Sequence, residues 1–246
     1  MYKKGLYTIT SNMPLTETIY KMVLQGDTSY ISASGQFVEI ELPNKFLRRP
    51  FSVCDYDDNS ITLIYKVVGE GTQLMSQLKI GTTLDLLTGL GNGFDINIDT
   101  KQPLLIGGGV GIPPLYNLAK QLIKKGLQTT VALGFNCAEE LFFVKEFKEI
   151  GCKVVVATID GSVGTKGYVT DAINQNGINC DYFFACGPLP MLKALCNHFT
   201  IEGQISMEER MGCGFGACMG CSIQTKNGAK RVCKEGTVFL KSELDL

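Results

Sequence analysis

Along residues 1–98, apolar and polar positions alternate in short bursts separated by turn-forming residues, as in strands with one buried face. The bursts fall at 5–9, 19–24, 36–42, 51–54, 61–68 and 83–87. In the stretch after Phe37, the apolar Val38, Ile40 and Leu42 interleave with Glu39 and Glu41. Many short strands in succession predict an antiparallel barrel or sandwich. A short helix is expected near Thr72, just past Gly71.

From Lys101 the period changes. An apolar run at 103–106 is followed by a glycine turn at 107–111, and then Leu115, Leu118, Ala119, Leu122 and Ile123 recur at helical spacing. Pro113 or Pro114 suits the start of that helix and Gly126 its end. Apolar strands at 129–133, 154–158 and 182–185 alternate with helices expected at 139–150, after Tyr168, and at 189–199. Such alternation predicts a parallel sheet covered on both faces. Beyond Ser206 the patterning fades, and glycine and cysteine dominate. The expected architecture is multidomain, α+β with α/β: an N-terminal antiparallel β-barrel (1–98), a central parallel-sheet α/β domain (99–205) and a small cysteine-rich C-terminal domain (206–246).

Charge narrows the function. The 246 residues carry a formal net charge of -1, and lysines and arginines run no further than pairs such as Lys3-Lys4. That excludes a phosphate-backbone reader and a polybasic membrane anchor. No apolar run approaches the ~20 residues a spanning helix needs, and the first residues lack the apolar core of a signal peptide. A cytoplasmic chain with reduced thiols is therefore expected. Of the ten cysteines, Cys54, Cys137, Cys152, Cys180, Cys186 and Cys196 are scattered and read as small buried hydrophobes. The other four are clustered.

Cys213, Cys218, Cys221 and Cys233 follow the spacing C-x4-C-x2-C-x11-C. Three ligands on one loop and a distant fourth is the plant-type [2Fe–2S] arrangement. Gly212, Gly214, Gly216 and Gly220 are interleaved with them, as a loop wrapped closely around a small cluster requires. Zinc is the alternative, although its four-cysteine sites usually come as two short knuckles. Disulfides are disfavoured by compartment.

Two further motifs concern nucleotides. Arg48-Arg49-Pro50-Phe51-Ser52 resembles the R-x-[YF]-[ST] element of ferredoxin reductase-like flavoproteins. There Arg49 would clamp a diphosphate, Phe51 would pack on the flavin, and the Ser52 hydroxyl would lie near flavin N5. Ile64-Tyr65-Lys66 and Gly71-Thr72 resemble the second flavin element of that family. The plainer reading is a strand ending in a basic turn, with ordinary loop glycines. Gly107-Gly108-Gly109-Val110-Gly111-Ile112-Pro113 departs from the Rossmann spacing, with Ile112 in the last glycine position, but matches the same family's nicotinamide loop. Cys186-Gly187-Pro188 with Met191 resembles its C-G-P-x-x-M element, which would put Cys186 near the nicotinamide. Asp160 could face an adenosine ribose or serve as a turn residue. His198, the one histidine, reads as a charge near a helix end.

These elements occur in an order that resembles the electron-transfer subunits of type B dihydroorotate dehydrogenase over essentially the whole chain. Residues 206–221 and 231–235 are especially similar to that family, while Glu235 and Thr237 stand where an Asp-Gly-Pro-like continuation is expected. The resemblance implies FAD, a [2Fe–2S] cluster and NAD as an exchangeable substrate, with a catalytic subunit bearing FMN as partner, in an α2β2 assembly serving pyrimidine (UMP) biosynthesis. Electrons would pass from that FMN through the cluster and FAD to NAD. NAD rather than NADP is favoured by the lack of an arginine cluster after strand 129–133. Subunits of sulfide dehydrogenase and of NADH-dependent ferredoxin:NADP oxidoreductase are similar too, although in the latter one cluster ligand can be an aspartate. A redox-sensing module with the same cofactors is the alternative of another class.

Overall fold

The computed structural model describes residues 2–246. It divides into two compact units. The first runs up to Phe94 and also takes in Glu208–Val238; the second comprises Asp95–Met207 and Phe239–Leu246.

The first unit is built on a closed antiparallel barrel. Its strands are β1 (Lys3–Pro14), β2 (Ile19–Gln25), β3 (Phe37–Ile40), β4 (Arg49–Tyr56), β5 (Ser60–Lys66) and β6 (Thr83–Leu90), with the short helix α1 (Glu70–Ser76) before β6. The order around the barrel is β1-β2-β5-β4-β3-β6, and β1 pairs with β6 to close it. Alternation decides what points inward: Met22 and Leu24 on β2, Val38 and Ile40 on β3, and Leu84 and Leu86 on β6 share one core. Glu39, between two of these, points the other way.

The second unit is a parallel sheet with helices. It contains β7 (Pro103–Gly108), α2 (Pro114–Lys124), β8 (Thr130–Phe135), α3 (Val144–Glu149), β9 (Lys153–Thr158), β10 (Thr165–Lys166), α4 (Val169–Gln175), β11 (Tyr182–Cys186), α5 (Leu189–His198) and β12 (Gly203–Ser206). Leu115, Leu118 and Leu122 of α2 are fully buried, each contributing about 1.5–3 kcal/mol. That burial holds the start of α2 against the end of β7.

The cysteine-rich segment is more regular than its sequence suggests. It forms a hairpin of β13 (Ser222–Thr225) and β14 (Gly228–Arg231), a one-turn helix α6 (Val232–Glu235), and the strand β15 (Val238–Leu240). The sheet order is β10-β9-β8-β7-β11-β12-β15.

The helix expected over 139–150 is corrected. A 3-10 turn at Ala138–Glu140 is followed by a break, and α3 begins only at Val144. Phe143 at the break takes a left-handed conformation, φ 64°. The cause is two adjacent aromatics that both need burial: Phe142 packs on Phe135 and Phe143 on Tyr116. Neighbours on a helix point about 100° apart and could not both reach these partners. No helix among the described residues is long and apolar enough to cross a membrane.

Candidate cofactor sites

The four clustered cysteines come together in pairs. The Cys218 N–H meets the Cys213 sulfur, and the Cys233 N–H meets the Cys221 sulfur. The hairpin makes the second pair possible: Ser222 is registered with Arg231, the Val232 N–H donates to the Cys221 carbonyl at 3.0 Å, and the Cys233 N–H points at the Cys221 sulfur at 3.4 Å. In the first pair, the N–H groups of Ala217 and Cys218 point at the Cys213 sulfur at 3.2 and 3.4 Å. Gly214 and Gly216 hold φ of 75° and 91°, which bends the loop so that these amides face inward.

The electrostatics follow. Burial opposes ionisation of Cys213, but the surrounding donors, led by the Cys218 N–H, bring its thiol down to about 6. Burial, and then Cys221, push the Cys233 thiol up to about 12. Iron binding at Cys233 must therefore displace a proton. N–H groups aimed at the Cys213 and Cys221 sulfurs fit thiolates that carry negative charge, as cluster ligands do. Cys221 and Cys233 are buried, whereas Cys218 is exposed.

Glu39 lies against this loop. A Cβ on Gly214 would come within 2.4 Å of the Glu39 carboxyl carbon. The side chain is 1% exposed, and neither carboxyl oxygen has a hydrogen-bond partner among the described residues. Burial, and then Cys213, raise its carboxyl to about 7, while Arg48 pulls the other way.

On the barrel, the two arginines of the flavin motif separate by role. Arg48 is tied to Glu41 and, at 2.7 Å, to Asp85, and donates to the carbonyls of Glu39 and Asp85. Arg49 has no carboxylate partner among the described residues; it donates only to the nearby carbonyls of Leu47 and Arg48. Gly71 makes room for it, since a Cβ there would lie 3.0 Å from Arg49 Nε. Pro50 is registered with Glu39 and Ser52 with Phe37 in the β3–β4 ladder. The β4–β5 ladder, by contrast, stops at Val53 and Leu63. Ile64 and Tyr65 are registered with β2 but not with β4, so their backbone edge toward β4 is open. The Tyr65 ring itself is buried and donates to Asn12 at 3.0 Å, with Phe51 edge-on to it at 5.8 Å. The Thr72 hydroxyl is engaged in its own turn, accepting from Val68 and Gly69.

In the second unit, a cleft of about 380 Å³ opens at the C-terminal ends of β7, β8 and β11. Gly108, Gly109 and Pro188 line it, and Gly107 and Cys186 are registered partners just beneath. Gly111 cannot carry a side chain: a Cβ would sit 2.4 Å from the Cys186 carbonyl oxygen. The glycine loop and the Cys186-Gly187-Pro188 turn therefore meet backbone to backbone. Ligands of open parallel sheets bind at such a place, where neighbouring strands lead off in opposite directions.

Several lining residues were not anticipated. Asn136 follows β8, and its side chain donates to Glu140 at 2.7 Å; both line the cleft, and among the described residues no lysine or arginine does. Their position just past the second strand of a βαβ unit was the available signal. Asp160 is outside the lining, its carboxylate accepting from the Ser162 N–H and hydroxyl at 2.9 and 2.6 Å; it is a turn residue. His198 is exposed in the last turn of α5.

Comparison with known proteins adds the following. Residues 208–245 match the iron–sulfur cluster binding domain of dihydroorotate dehydrogenase B, and residues 105–197 match the oxidoreductase NAD-binding domain. A dihydroorotate dehydrogenase B (NAD(+)) electron transfer subunit from Fusobacterium nucleatum is 44% identical, covering 97% of each chain. Its counterpart from a Geobacillus species is 45% identical over 100% of both. Among solved structures, an NADH-dependent reduced ferredoxin-NADP oxidoreductase studied for flavin-based electron bifurcation superposes with a TM-score of 0.89 at 33% identity, covering 98% of this chain and 90% of that one. A Neisseria gonorrhoeae ferredoxin NADP+ reductase at 21% identity and a TM-score of 0.67, covering 78% of this chain and 88% of that one, shares the fold.

Proposed function

This chain belongs to the family of dihydroorotate dehydrogenase B (NAD(+)) electron transfer subunits, and we propose that it carries electrons from an FMN-bearing catalytic subunit to NAD+ in pyrimidine biosynthesis. The observation that carries the proposal is the pairing of Cys213 with Cys218 and of Cys221 with Cys233 through backbone N–H to sulfur contacts, on the same chain as a nucleotide cleft. Bound at these sites, a [2Fe–2S] cluster would supply one-electron transfer and FAD would couple it to two-electron exchange with NAD+.

The chain's own residues bind and position. The four thiols hold iron, and the amides around Cys213 stabilise negative charge on sulfur. Arg49, free of carboxylates where Arg48 is not, clamps the FAD diphosphate, with Gly71 leaving space and Thr72 fixing the turn. Pro50 holds the strand beside Phe51, and the Ser52 hydroxyl faces the flavin edge. The backbone edge of Ile64 and Tyr65, beside Lys66, would receive the ring. Gly107, Gly108, Gly109 and Gly111 admit the NAD pyrophosphate, and Cys186, Gly187 and Pro188 border the nicotinamide. No acid–base pair is needed, because the residues position cofactors that do the chemistry. The reading assigns FAD to residues 1–98, NAD to 99–205 and the cluster to 206–246, in a cytoplasmic α2β2 assembly.

The test is reconstitution. The chain is purified with its candidate FMN subunit, dihydroorotate is supplied and NADH formation is followed. NAD-linked turnover should require this chain; full turnover without it would refute the proposal. The likeness to the ferredoxin-NADP oxidoreductase supports a second reading, with another electron donor at the cluster. Reduction of NADP+ by reduced ferredoxin in the same preparation would favour that reading.

A further inference from the structure

Arg231 sits where the two cysteine pairs can be linked. Its register with Ser222 puts it next to the Cys221 position, two residues before Cys233. Glu235 fixes its orientation, accepting from the Arg231 backbone N–H at 2.8 Å, from Nε at 3.0 Å and from a terminal nitrogen. So held, the other terminal nitrogen donates to the Gly216 carbonyl at 2.6 Å. Gly216 belongs to the turn between Cys213 and Cys218. On its other side, a Cβ would come within 2.6 Å of the Lys234 side chain. The Arg231 side chain is 22% exposed and Glu235 33%, so the pair is partly shielded from water.

We propose that Arg231 is a positioning residue that braces the cluster site, tying the Cys213–Cys218 half to the Cys221–Cys233 half and raising the reduction potential of the cluster held between them. The proposal rests on the reading that these cysteines hold a [2Fe–2S] cluster. The two roles draw on different properties of the side chain. Bracing needs the planar fork: two nitrogens of one edge engage Glu235 while the third nitrogen reaches Gly216, which an ammonium on a flexible stem cannot reproduce. Tuning needs only charge. A cluster that accepts an electron becomes more negative, and the Arg231 cation favours the reduced state by the part of its charge that Glu235 does not offset.

Those properties can be separated in the full-length chain, loaded anaerobically with iron and sulfide. Iron release to a chelator, the EPR spectrum of the reduced cluster and its midpoint potential are compared for wild type, Arg231→Lys, Arg231→Met and Glu235→Gln. Arg231→Lys should release iron at least about tenfold faster, as loss of a charge-assisted hydrogen bond implies, with its potential unchanged. Arg231→Met should release iron as fast and also titrate at a lower potential. Glu235→Gln should release iron faster while keeping the arginine. Wild-type iron release in Arg231→Lys, or a wild-type potential in Arg231→Met, would overturn the proposal. If Arg231→Met fails to fold, judged by FAD content, the other two variants still test the brace. A wild-type chain with neither cluster absorbance nor EPR signal would refute the functional reading beneath it.

Discussion

The cluster segment builds its site from one loop and one hairpin, whereas the nucleotide cleft is assembled from the ends of three strands far apart in the chain. In the first, the donors are the loop's own side chains and amides, and Cys213 meets Cys218 across a turn. In the second, the walls are backbone: Gly111 reaches the Cys186 carbonyl only because the β7–β11 ladder brings them together. A local site can lose its ligand without losing the fold around it. A distributed site is the fold, and a change there should damage both. The predictions test that contrast.

The largest expected effect is at Cys218. Replacing it with serine should abolish the visible absorbance of the cluster while FAD content stays at the wild-type level. Simultaneous loss of FAD would show that the cluster segment is not a local site. Next comes Gly111→Ala, which places a methyl 2.4 Å from a carbonyl oxygen that the sheet holds fixed. Neither partner is a flexible side chain, so the second unit should lose about 3 kcal/mol or more. Its unfolding transition should fall and NADH affinity should fall with it. Wild-type values for both would break the comparison at its other end.

The same contrast explains what could be read from sequence. Barrel strands and the βαβ alternation were legible because burial on one or both faces leaves a period in the residues. The four cysteines were legible because their ligand spacing is a property of one loop. The elements around them were not: hairpin, one-turn helix and β15 are too short and glycine-rich to show a period. At the cleft the reverse held. The strands were plain, but Asn136 and Glu140 carry no motif, and their role comes from where β8 ends. The helix expected over 139–150 failed for a related reason, since burial of both Phe142 and Phe143 is tertiary information. Likewise, Glu39 looked like the polar half of a strand alternation, because its outer face is covered by residues far along the chain.

Glu39 qualifies the idea of a self-contained cluster loop. An unfolded glutamate titrates near 4.5, and burial raises this one to about 7. Between those values the folded state holds a proton that the unfolded state has released, so stability falls as pH rises through the window. Above about 7 the full cost is present, up to about 3 kcal/mol. Glu39→Gln should therefore match wild type at pH 4 and be more stable at pH 8, as measured by denaturant unfolding of the chain. Parallel pH dependence in the two proteins would mean that the carboxylate is solvated after all, and that the loop does not rest on it.

The smallest effect tests how the cleft chooses its ligand. Asn136 holds Glu140 at the end of β8, and the lining has no cation to receive a 2′-phosphate. A carboxylate there accepts hydrogen bonds from a ribose hydroxyl and repels a phosphate dianion. Lys166, whose stem packs over Gly161, immediately precedes Gly167 of the lining. Glu140→Gln keeps the size and the bond to Asn136 but removes the charge. The ratio of NADPH to NADH affinity should rise on the order of tenfold, the worth of one hydrogen bond to a charged group, with cluster and FAD content unchanged. An unchanged ratio would move the discrimination away from Glu140. A ratio that instead collapses in Lys166→Ala would show the cleft reading phosphate through Lys166, a side chain outside its lining.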